Sequence, residues 1–175
     1  GRIFSTIDLC SGYHQIRMAE GHEERTAFGC RWGQFQFQVM PFGVCNGPST
    51  FQSAMHRLFQ DLDFCDVYLD DIIIASNSLE EHLKHLAVVL GRLRSEDYKA
   101  KLSKCCFAVE KVGFLGHVVS NGTISMEEDK LLYIKEWATP TNVKQLRSFL
   151  GLASYYRKFV RSFAALASPL SCLLE

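Results

Sequence analysis

The sequence predicts an α+β fold in which an antiparallel sheet packs against helices on one face. The stretch Phe64 to Ser76 (FCDVYLDDIIIAS) has two β-branched and aromatic runs around the pair Asp70-Asp71, which is typical of a β-hairpin. Segments whose apolar residues recur at helical spacing precede and follow this hairpin. Strands and helices therefore interleave over short connections, as they do in α+β domains.

The first strand is predicted to carry an acidic residue at its end. Ile3 to Leu9 is an apolar run that indicates a buried strand, with Asp8 near its C-terminal end and a break at Ser11-Gly12. A second hairpin is predicted from Arg25 to Phe28 and from Gln34 to Val39, joined by the glycine-containing turn at 29–33, because Phe35, Phe37 and Val39 alternate with polar residues in the second segment.

A helix is predicted to begin at Ser49, after a loop that contains two Pro and two Gly. Ser49 and Gln52 have the spacing of a capping box, which marks the first turn of a helix. Apolar residues then follow at helical spacing and predict a buried face: Phe51, Met55, Leu58 and Phe59.

A longer helix is predicted after the Asp-Asp hairpin, with Ser78 as its N-cap and Glu81 as the second member of a capping box. Leucines at helical spacing predict its buried face: Leu79, Leu83, Leu86, Leu90 and Leu93. His82 and His85 are predicted to lie on a solvated flank of this helix. Zinc normally takes three or four protein ligands, and no further candidates lie nearby in the sequence.

The C-terminal part of the chain is predicted to be mainly helical. Residues 101–112 are interpreted as basic and irregular, and Gly113 to Ser120 as a strand followed by a turn at Asn121-Gly122. One helix is expected from Lys130 to Trp137. Thr141 or Asn142 is expected to cap another helix that reaches position 150 and is interrupted at Gly151. We therefore place a domain boundary near residues 120–125, between domains of 1–120 and 121–175.

The composition indicates a packed protein in a reducing compartment. Apolar residues make up 47% of the 175 residues, and no run has the length of a membrane span. The seven Cys are odd in number and contain no C-x-x-C pair, which favours free thiols. We expect an intracellular location without a membrane partner. The chain begins without Met, and we interpret it as a piece of a longer polypeptide.

The charge distribution is uneven although the formal net charge is zero. Residues 1–100 carry 13 acidic and 9 basic groups, a net charge of −4, whereas residues 101–175 carry 6 acidic and 10 basic groups, a net charge of +4. This division suits a cation-binding centre beside a surface for a polyanion. It is also common in soluble domains, so it selects no function by itself.

The acidic residues suggest a specific chemistry. Asp is common in tight turns, so the pair Asp70-Asp71 alone is typical of an ordinary hairpin. Transfer of a nucleotide to a hydroxyl, however, uses two divalent cations about 3.5–4 Å apart, and such cations prefer carboxylate oxygens. Asp8 and Asp70-Asp71 meet this need if the first strand pairs with the hairpin.

Five motifs, in order, resemble the reverse transcriptase of gypsy-like LTR retrotransposons and their retroviral relatives, and the resemblance covers essentially the whole chain. A lone Y-x-D-D is a weak signal, but five motifs at compatible spacings are a strong one. The motifs are Asp8 to Gln15 (DLCSGYHQ), Met40 to Gln52 (MPFGVCNGPSTFQ), Tyr68 to Asp71 (YLDD), Phe114 to His117 (FLGH) and Leu146 to Tyr156 (LRSFLGLASYY).

The resemblance implies a right-hand polymerase fold. It has an antiparallel palm sheet packed on helices, a remnant of the fingers at residues 17–39 and a partial helical thumb. Asp8 and Asp70 would be the main ligands of two Mg²⁺ or Mn²⁺ ions, with the Leu9 carbonyl assisting. Asp71 would be a third, less central carboxylate. All three Asp are the catalytic candidates.

Further residues receive roles from the same resemblance. The dNTP pocket would comprise Tyr13, Phe42, Gly43 and Lys104. Tyr13 would exclude a ribose 2′-hydroxyl, and Lys104 would lie near the pyrophosphate. Their competing interpretations are a core aromatic for Tyr13, turn geometry for Gly43 and a solvated surface lysine for Lys104.

The primer and template would contact the last two motifs, through Phe114, Leu115, Gly116, His117, Gly151 and Tyr155. For Gly151, a tight helix–helix contact is the competing explanation. The partners would be an RNA template, a DNA primer, dNTPs and the rest of a polyprotein with protease, ribonuclease H and integrase.

Two features depart from the family pattern. The basic fingers residues that precede the first aspartate in the family lie outside this sequence, because only residues 1–7 stand before that motif. Asp66 occupies a position that is usually apolar, and on strand alternation it shares a face with Tyr68 and Asp70. Both departures bear on whether this copy is active.

Three functions therefore follow from the sequence. The first is a divalent-metal-dependent RNA-directed DNA polymerase, expected in a cytoplasmic virus-like particle or in the nucleus. The second is a catalytically inactive, transposon-derived domain that binds nucleic acid or a partner. The third is a palm-fold nucleotide cyclase, because a fold does not fix a function. The thumb-like helices and the FLGH segment argue against the cyclase.

Overall fold

A four-stranded antiparallel sheet lies at the centre of the first of two units in this computed structural model, which describes residues 1–174. The first unit comprises residues 1–114 and 120–122, and the second comprises residues 115–119 and 123 onward. The strands are β1 (Ile3–Asp8), β2 (Phe28–Cys30), β3 (Gly33–Phe35), β4 (Cys65–Tyr68), β5 (Asp71–Ser76), β6 (Cys106–Val109), β7 (Lys111–Phe114), β8 (His117–Ser120) and β9 (Thr123–Met126). The helices are α1 (Gly47–Phe59), α2 (Leu79–Ser95), α3 (Glu128–Lys135), α4 (Val143–Tyr155) and α5 (Phe163–Ser171).

The central sheet has the strand order β4-β5-β1-β6, and every pair in it is antiparallel. β1 pairs with β5 along its whole length, from Ile3 opposite Ser76 to Asp8 opposite Asp71. The predicted Asp-Asp hairpin is therefore confirmed as β4 and β5. Apolar residues from the sheet, α1 and α2 form one core: Ile7, Leu9, Met40, Phe51, Met55, Phe59, Cys65, Ile72, Ile74, Leu86, Val89 and Leu93.

Helix α1 begins three residues earlier than predicted. Asn46 is its N-cap residue, and Pro48 lies in the first turn, where its fixed φ suits a helix start. Ser49 is inside the helix, so its predicted role as N-cap is wrong. Phe51, Met55 and Phe59 form the buried face, while Leu58 is only partly buried.

Helix α2 begins as predicted but buries a different face. The Ser78 side chain accepts a hydrogen bond from the Glu81 N–H at 3.3 Å. The buried face comprises His82, Leu86, Val89 and Leu93. The predicted leucine stripe is wrong at three positions, because these side chains are exposed: Leu79, Leu83 and Leu90.

His82 is fully buried, so the prediction that it lies on a solvated flank is wrong. Its Nε2 lies 2.7 Å from the Ser5 hydroxyl and its Nδ1 lies 2.7 Å from the Ser76 hydroxyl. These two hydrogen bonds satisfy the imidazole inside the core. Burial lowers the pKa of His82, and neighbouring His85 lowers it further, so the ring is held neutral.

Two other segments differ from the prediction. The hairpin expected within residues 25–39 is present as β2 and β3, but its strands are shorter, at three residues each. Residues 101–112 are not irregular: they contain a 3-10 turn (Leu102–Lys104), β6 and the start of β7. Ala108 in β6 has a positive φ of 51°, and the register between β6 and β1 shifts between Phe4 and Thr6. The alternation of side chains along β6 is therefore interrupted.

In the second unit, β8 and β9 are neighbouring strands, followed by helices α3 to α5. The predicted turn at Asn121-Gly122, which is grouped with the first unit, connects these two strands in the sequence, and both of its residues have positive φ. The Asn142 side chain caps α4 by accepting from the Gln145 N–H at 3.0 Å. The predicted interruption at Gly151 is wrong, since α4 continues to Tyr155. Within residues 1–174, no helix is long and apolar enough to cross a bilayer.

Candidate active site

Three carboxylates from distant parts of the chain converge at one end of the central sheet. Antiparallel pairing places Asp8, the last residue of β1, directly opposite Asp71, the first residue of β5. Asp70 immediately precedes Asp71 in the turn between β4 and β5, and its carbonyl accepts a hydrogen bond from the Leu9 N–H at 3.2 Å. The sequence-based requirement that the first strand pair with the hairpin is thus met.

The cluster carries a local excess of negative charge. Burial raises the pKa of Asp71, and the neighbouring carboxylates of Asp70 and Asp8 raise it further, while Lys104 opposes this rise. Like charges this close raise the free energy of the ionised state. A bound cation would relieve this repulsion.

Lys104 is the basic residue that contacts the carboxylate cluster. Its Nζ donates a hydrogen bond to Asp8 Oδ2 at 2.9 Å, and this bond is the main reason that the pKa of Lys104 is raised. The backbone holds the segment in place, because the Lys101 N–H donates to the Asp8 carbonyl at 2.9 Å. Lys104 is therefore attached to the cluster and is not merely a solvated surface lysine.

The donor chemistry of this cluster fits divalent cations. Hard cations such as Mg²⁺ and Mn²⁺ prefer carboxylate and carbonyl oxygens, and three carboxylates lie here beside the Leu9 backbone. In the part of the chain that the structure describes, no three His, Cys, Asp or Glu side chains are already arranged as a ligand group. His82 and His85 likewise belong to no ligand group among residues 1–174.

The turn that carries Asp70 is strained and externally supported. Leu69 has a φ of 53°, in the left-handed region that non-glycine residues rarely adopt. The Gln52 side chain on α1 bonds the backbone on both sides of Tyr68: its Nε2 donates to the Val67 carbonyl at 3.0 Å, and its Oε1 accepts from the Leu69 N–H at 2.7 Å.

A close approach at Gly12 joins the carboxylate cluster to helix α1. A Cβ atom at this position would lie 2.9 Å from Phe51 Cζ and 3.1 Å from Asp70 Cβ. Only glycine leaves room for these two neighbours. The loop after Asp8 is also fixed by Gln15, whose amide bonds the backbone of Cys10 and Lys99.

Aromatic rings form a candidate nucleotide pocket next to this close approach. The Tyr13 ring lies 5.2 Å from the Phe42 ring and 5.5 Å from the Phe51 ring, and Phe42 is exposed. Gly43 follows with a φ of 92°, which requires glycine whether or not a ligand binds there. Tyr13, Phe42 and Gly43 therefore lie close together, and their role in binding a nucleotide stays a prediction.

The second unit assembles most of the predicted primer-binding residues. The Tyr155 hydroxyl donates to the Leu115 carbonyl, and the Tyr156 hydroxyl donates to the Gly116 carbonyl at 3.1 Å. The His117 ring stacks on Tyr155 with centroids 5.2 Å apart. Phe114, the last residue of β7, belongs to the first unit.

The second unit has a buried imidazole nitrogen at His117 and open space beside Gly151. Burial lowers the pKa of His117, and Lys158 lowers it further; within residues 1–174 its buried Nδ1 has no hydrogen-bond partner. A Cβ atom on Gly151 would have no neighbour within 4 Å. The alternative of a tight helix–helix contact at Gly151 is therefore wrong.

The comparison with known proteins decides the family. The family profile described as reverse transcriptase (RNA-dependent DNA polymerase) matches residues 1–119, which is more than half of the chain. The chain belongs to the reverse transcriptase family. Members of this family generally depend on divalent metal ions, in agreement with the carboxylate cluster.

Its curated relatives are retrotransposon polyproteins. The chain is 43% identical to the retrovirus-related Pol polyprotein from transposon 297 of Drosophila melanogaster, over 97% of the chain and 16% of that protein. It is 39% identical to the Pol polyprotein from transposon gypsy of the same organism, over 99% of the chain and 17% of that protein. A Schizosaccharomyces pombe relative, the transposon Tf2-3 polyprotein, is 36% identical, over 99% of the chain and 13% of that protein. The chain therefore spans less than a fifth of each of these relatives.

Solved reverse transcriptases share the fold. The foamy viral protease-reverse transcriptase in complex with an RNA/DNA hybrid is 29% identical, with a TM-score of 0.89 over 99% of this chain and 24% of that one. The same protein's dRH form, in complex with double-stranded DNA, gives a TM-score of 0.93 over 99% of this chain and 31% of that one. The predicted α+β reverse transcriptase fold is confirmed.

Sequence reasoning missed the residues that support the reverse transcriptase carboxylates. Gln52, Gly12 and Gln15 lie within the first two resemblance motifs, but the sequence gives Gln52 individually only a capping position, Gly12 only a strand break and Gln15 no role of its own. A polar residue between the buried Phe51 and Met55 is the signal that could have marked Gln52. Its partners lie 15 and 17 residues away, so helical periodicity alone does not reveal them.

Proposed function

We propose that this chain is the RNA-directed DNA polymerase segment of a retrotransposon Pol polyprotein. It would transfer a nucleotide from a dNTP to a primer 3′-hydroxyl on an RNA or DNA template and release pyrophosphate. We assign residues 1–120 to the palm, with a remnant of the fingers at 17–39, and residues 121–175 to a partial thumb. The rest of the polyprotein would supply protease, ribonuclease H and integrase.

The observation that carries this proposal is the register of β1 against β5. It places Asp8 opposite Asp71, with Asp70 one residue away in the turn and Lys104 on Asp8. A one-residue slip in this pairing would send the carboxylates to opposite faces of the sheet. If Asp70-Asp71 were only a polar hairpin turn, no third carboxylate would be needed beside it, yet Asp8 of β1 lies there.

Asp8 and Asp70, assisted by the Leu9 carbonyl and by Asp71, would hold two Mg²⁺ or Mn²⁺ ions. Such ions stabilise the attacking and leaving oxygens of an in-line displacement. Once the cations neutralise Asp8, the Lys104 charge would no longer be needed at that carboxylate. Lys104 would then contact the departing pyrophosphate.

Other residues of the first unit would select and orient the nucleotide. The Tyr13 ring, held by its contacts with Phe42 and Phe51, would occupy the space beneath the sugar and exclude a 2′-hydroxyl. Phe42 and Gly43 would form the wall of this pocket. The supporting observation is the close approach at Gly12, which has both the Phe51 ring, a neighbour of the Tyr13 ring, and Asp70 beside it.

The second unit would hold the primer–template duplex. Leu115, Gly116 and His117 would contact the primer end, and Gly151 and Tyr155 would contact the duplex along α4. Phe114, which belongs to the first unit, keeps its expected role in primer binding. The open space at Gly151 and the exposed Tyr155 ring are compatible with this role. Affinity would depend on phosphate contacts and should fall steeply with salt. We place the activity in a cytoplasmic virus-like particle or in the nucleus.

Primer extension on poly(rA)/oligo(dT) with Mg²⁺ tests this function, with the chain in the polyprotein that carries it. We expect extension by the wild type and loss of extension in Asp70→Asn with hybrid binding kept. Asp66→Asn, an exposed acidic position on neighbouring β4, is the matched control and should retain activity. Hybrid binding without extension by the wild type would instead support an inactive, nucleic-acid-binding descendant.

A further inference from the structure

We propose that Gln52 is a positioning residue for the polymerase reaction: its carboxamide clamps the backbone that leads into the turn and thereby places Asp70. This inference rests on the proposed function and extends it to a residue that touches neither substrate nor metal. It is carried by two hydrogen bonds, by the strain at Leu69 and by the rigidity of helix α1.

The Gln52 carboxamide supplies hydrogen bonds to backbone groups at the edge of the central sheet. β4 is an edge strand, since among residues 1–174 its only strand neighbour is β5. The carbonyl of Val67 and the N–H of Leu69 are bonded to the Gln52 side chain and not to β5, because alternate residues of an antiparallel strand direct their backbone polar groups away from the partner strand. Gln52 offers one donor and one acceptor to these two groups, as a further strand would.

The clamped residue is the one whose backbone is strained. Leu69 has a positive φ, which costs about 1–2 kcal/mol for a residue with a side chain. Its N–H is bonded to Gln52 at 2.7 Å, and Asp70 is the next residue in the chain. Without the clamp, Leu69 could return to an ordinary conformation, and the Asp70 carboxylate would move with it.

Helix α1 provides a rigid base for this contact. Gln52 lies between Phe51 and Met55, which are both fully buried in the core. Phe51 also contacts the Tyr13 ring and fills the space opposite Gly12. One turn of α1 therefore fixes both the nucleotide pocket and the turn that carries Asp70.

Three variants test the clamp. Gln52→Met keeps the length of the side chain and removes both hydrogen bonds. Gln52→Glu keeps the acceptor for the Leu69 N–H and lacks the donor for the Val67 carbonyl, and it also serves if the Met variant fails to fold. Gln60→Met is the matched control, because Gln60 is an exposed residue at the end of the same helix.

The kinetic readout is primer extension by the polyprotein as the Mg²⁺ concentration is varied. We expect Gln52→Met to lower kcat by about 10–100-fold, since a displacement of about 1 Å can cost about 10²-fold. The KM for dNTP should change by less than about twofold, and the half-saturating Mg²⁺ concentration should rise. Gln52→Glu should be intermediate and Gln60→Met unchanged. A purely structural role would change the amount of active enzyme but not its Mg²⁺ requirement.

Hydrogen exchange at the Leu69 amide gives an independent readout. We expect exchange at least about tenfold faster in Gln52→Met and near wild type in Gln52→Glu. The clamp is overturned if Gln52→Met keeps its kcat and Mg²⁺ requirement while Asp70→Asn is inactive; the proposed function then stands. An inactive wild type overturns both the proposed function and the positioning role of Gln52.

Discussion

Replacing Asp71 by Asn should stabilise the fold when no divalent cation is present. Asp71 lies opposite Asp8 in the antiparallel pair, where side chains are about 5 Å apart. Two negative charges at that separation repel by about 3 kcal/mol at an effective dielectric constant of about 20. The Asp8–Lys104 ion pair and the open solvent reduce this value, so we expect a gain of about 1 kcal/mol in the free energy of unfolding at pH 7.

The pH dependence of this gain follows from the raised pKa of Asp71. Between the ordinary Asp pKa of 3.8 and the raised value, the folded protein binds more protons than the unfolded chain. Stability therefore falls as pH rises through this window, and the full penalty is present above it. Asn does not titrate, so Asp71→Asn should match the wild type near pH 3 and exceed it at pH 7.

Urea unfolding in EDTA at pH 3 and pH 7 measures both effects. Asp66→Asn is the control, because this exposed carboxylate is one strand away, and its substitution should change stability by less than about 0.5 kcal/mol. If Asp71→Asn is no more stable than the wild type at pH 7 in EDTA, the carboxylates do not repel one another as this geometry requires.

Two further predictions concern the support of the site. Gly12→Ala should lose about 1–3 kcal/mol of stability and most primer extension, because its Cβ would meet Phe51 at 2.9 Å; Gly91→Ala, with open space in α2, is the control and should not be destabilised. His82→Gln should reduce the loss of stability on acidification, because burial lowers the pKa of His82 below the ordinary value of 6.5 and stability is lost as pH falls below that value. Unfolding free energies at pH 7 and pH 5 check this, and an unchanged pH slope in His82→Gln would contradict it.

Residues that are close together in the sequence were sufficient to predict the hairpin and two of the helix caps. The β-branched runs around Asp70-Asp71, Ser78 with Glu81, and Asn142 each depend on residues close in the chain. The cap at Ser49 was wrong because Pro48 suits the first turn of a helix that begins earlier. The predicted and the observed N-cap differ by three residues, and both starts leave the same apolar stripe on the helix.

The buried face of α2 depends on residues far away in the chain. Two stripes share Leu86 and Leu93, and periodicity cannot choose between a face with leucines and one with His82. Ser5 and Ser76 decide it, because they supply the hydrogen bonds that allow a histidine to be buried. In the same way, the motifs identified the carboxylates, whereas the support from Gln52 became visible only in the folded chain.

Binding of Mn²⁺, followed by electron paramagnetic resonance, tests most directly whether the three carboxylates form one cation site. The wild type should take up Mn²⁺ saturably, and Mg²⁺ should compete for it. Uptake should be strongly weakened in Asp8→Asn and in Asp70→Asn, although these residues are 62 positions apart in the chain, and kept in Asp66→Asn. Equal uptake by the wild type and both site variants would contradict a shared metal centre at the end of this sheet.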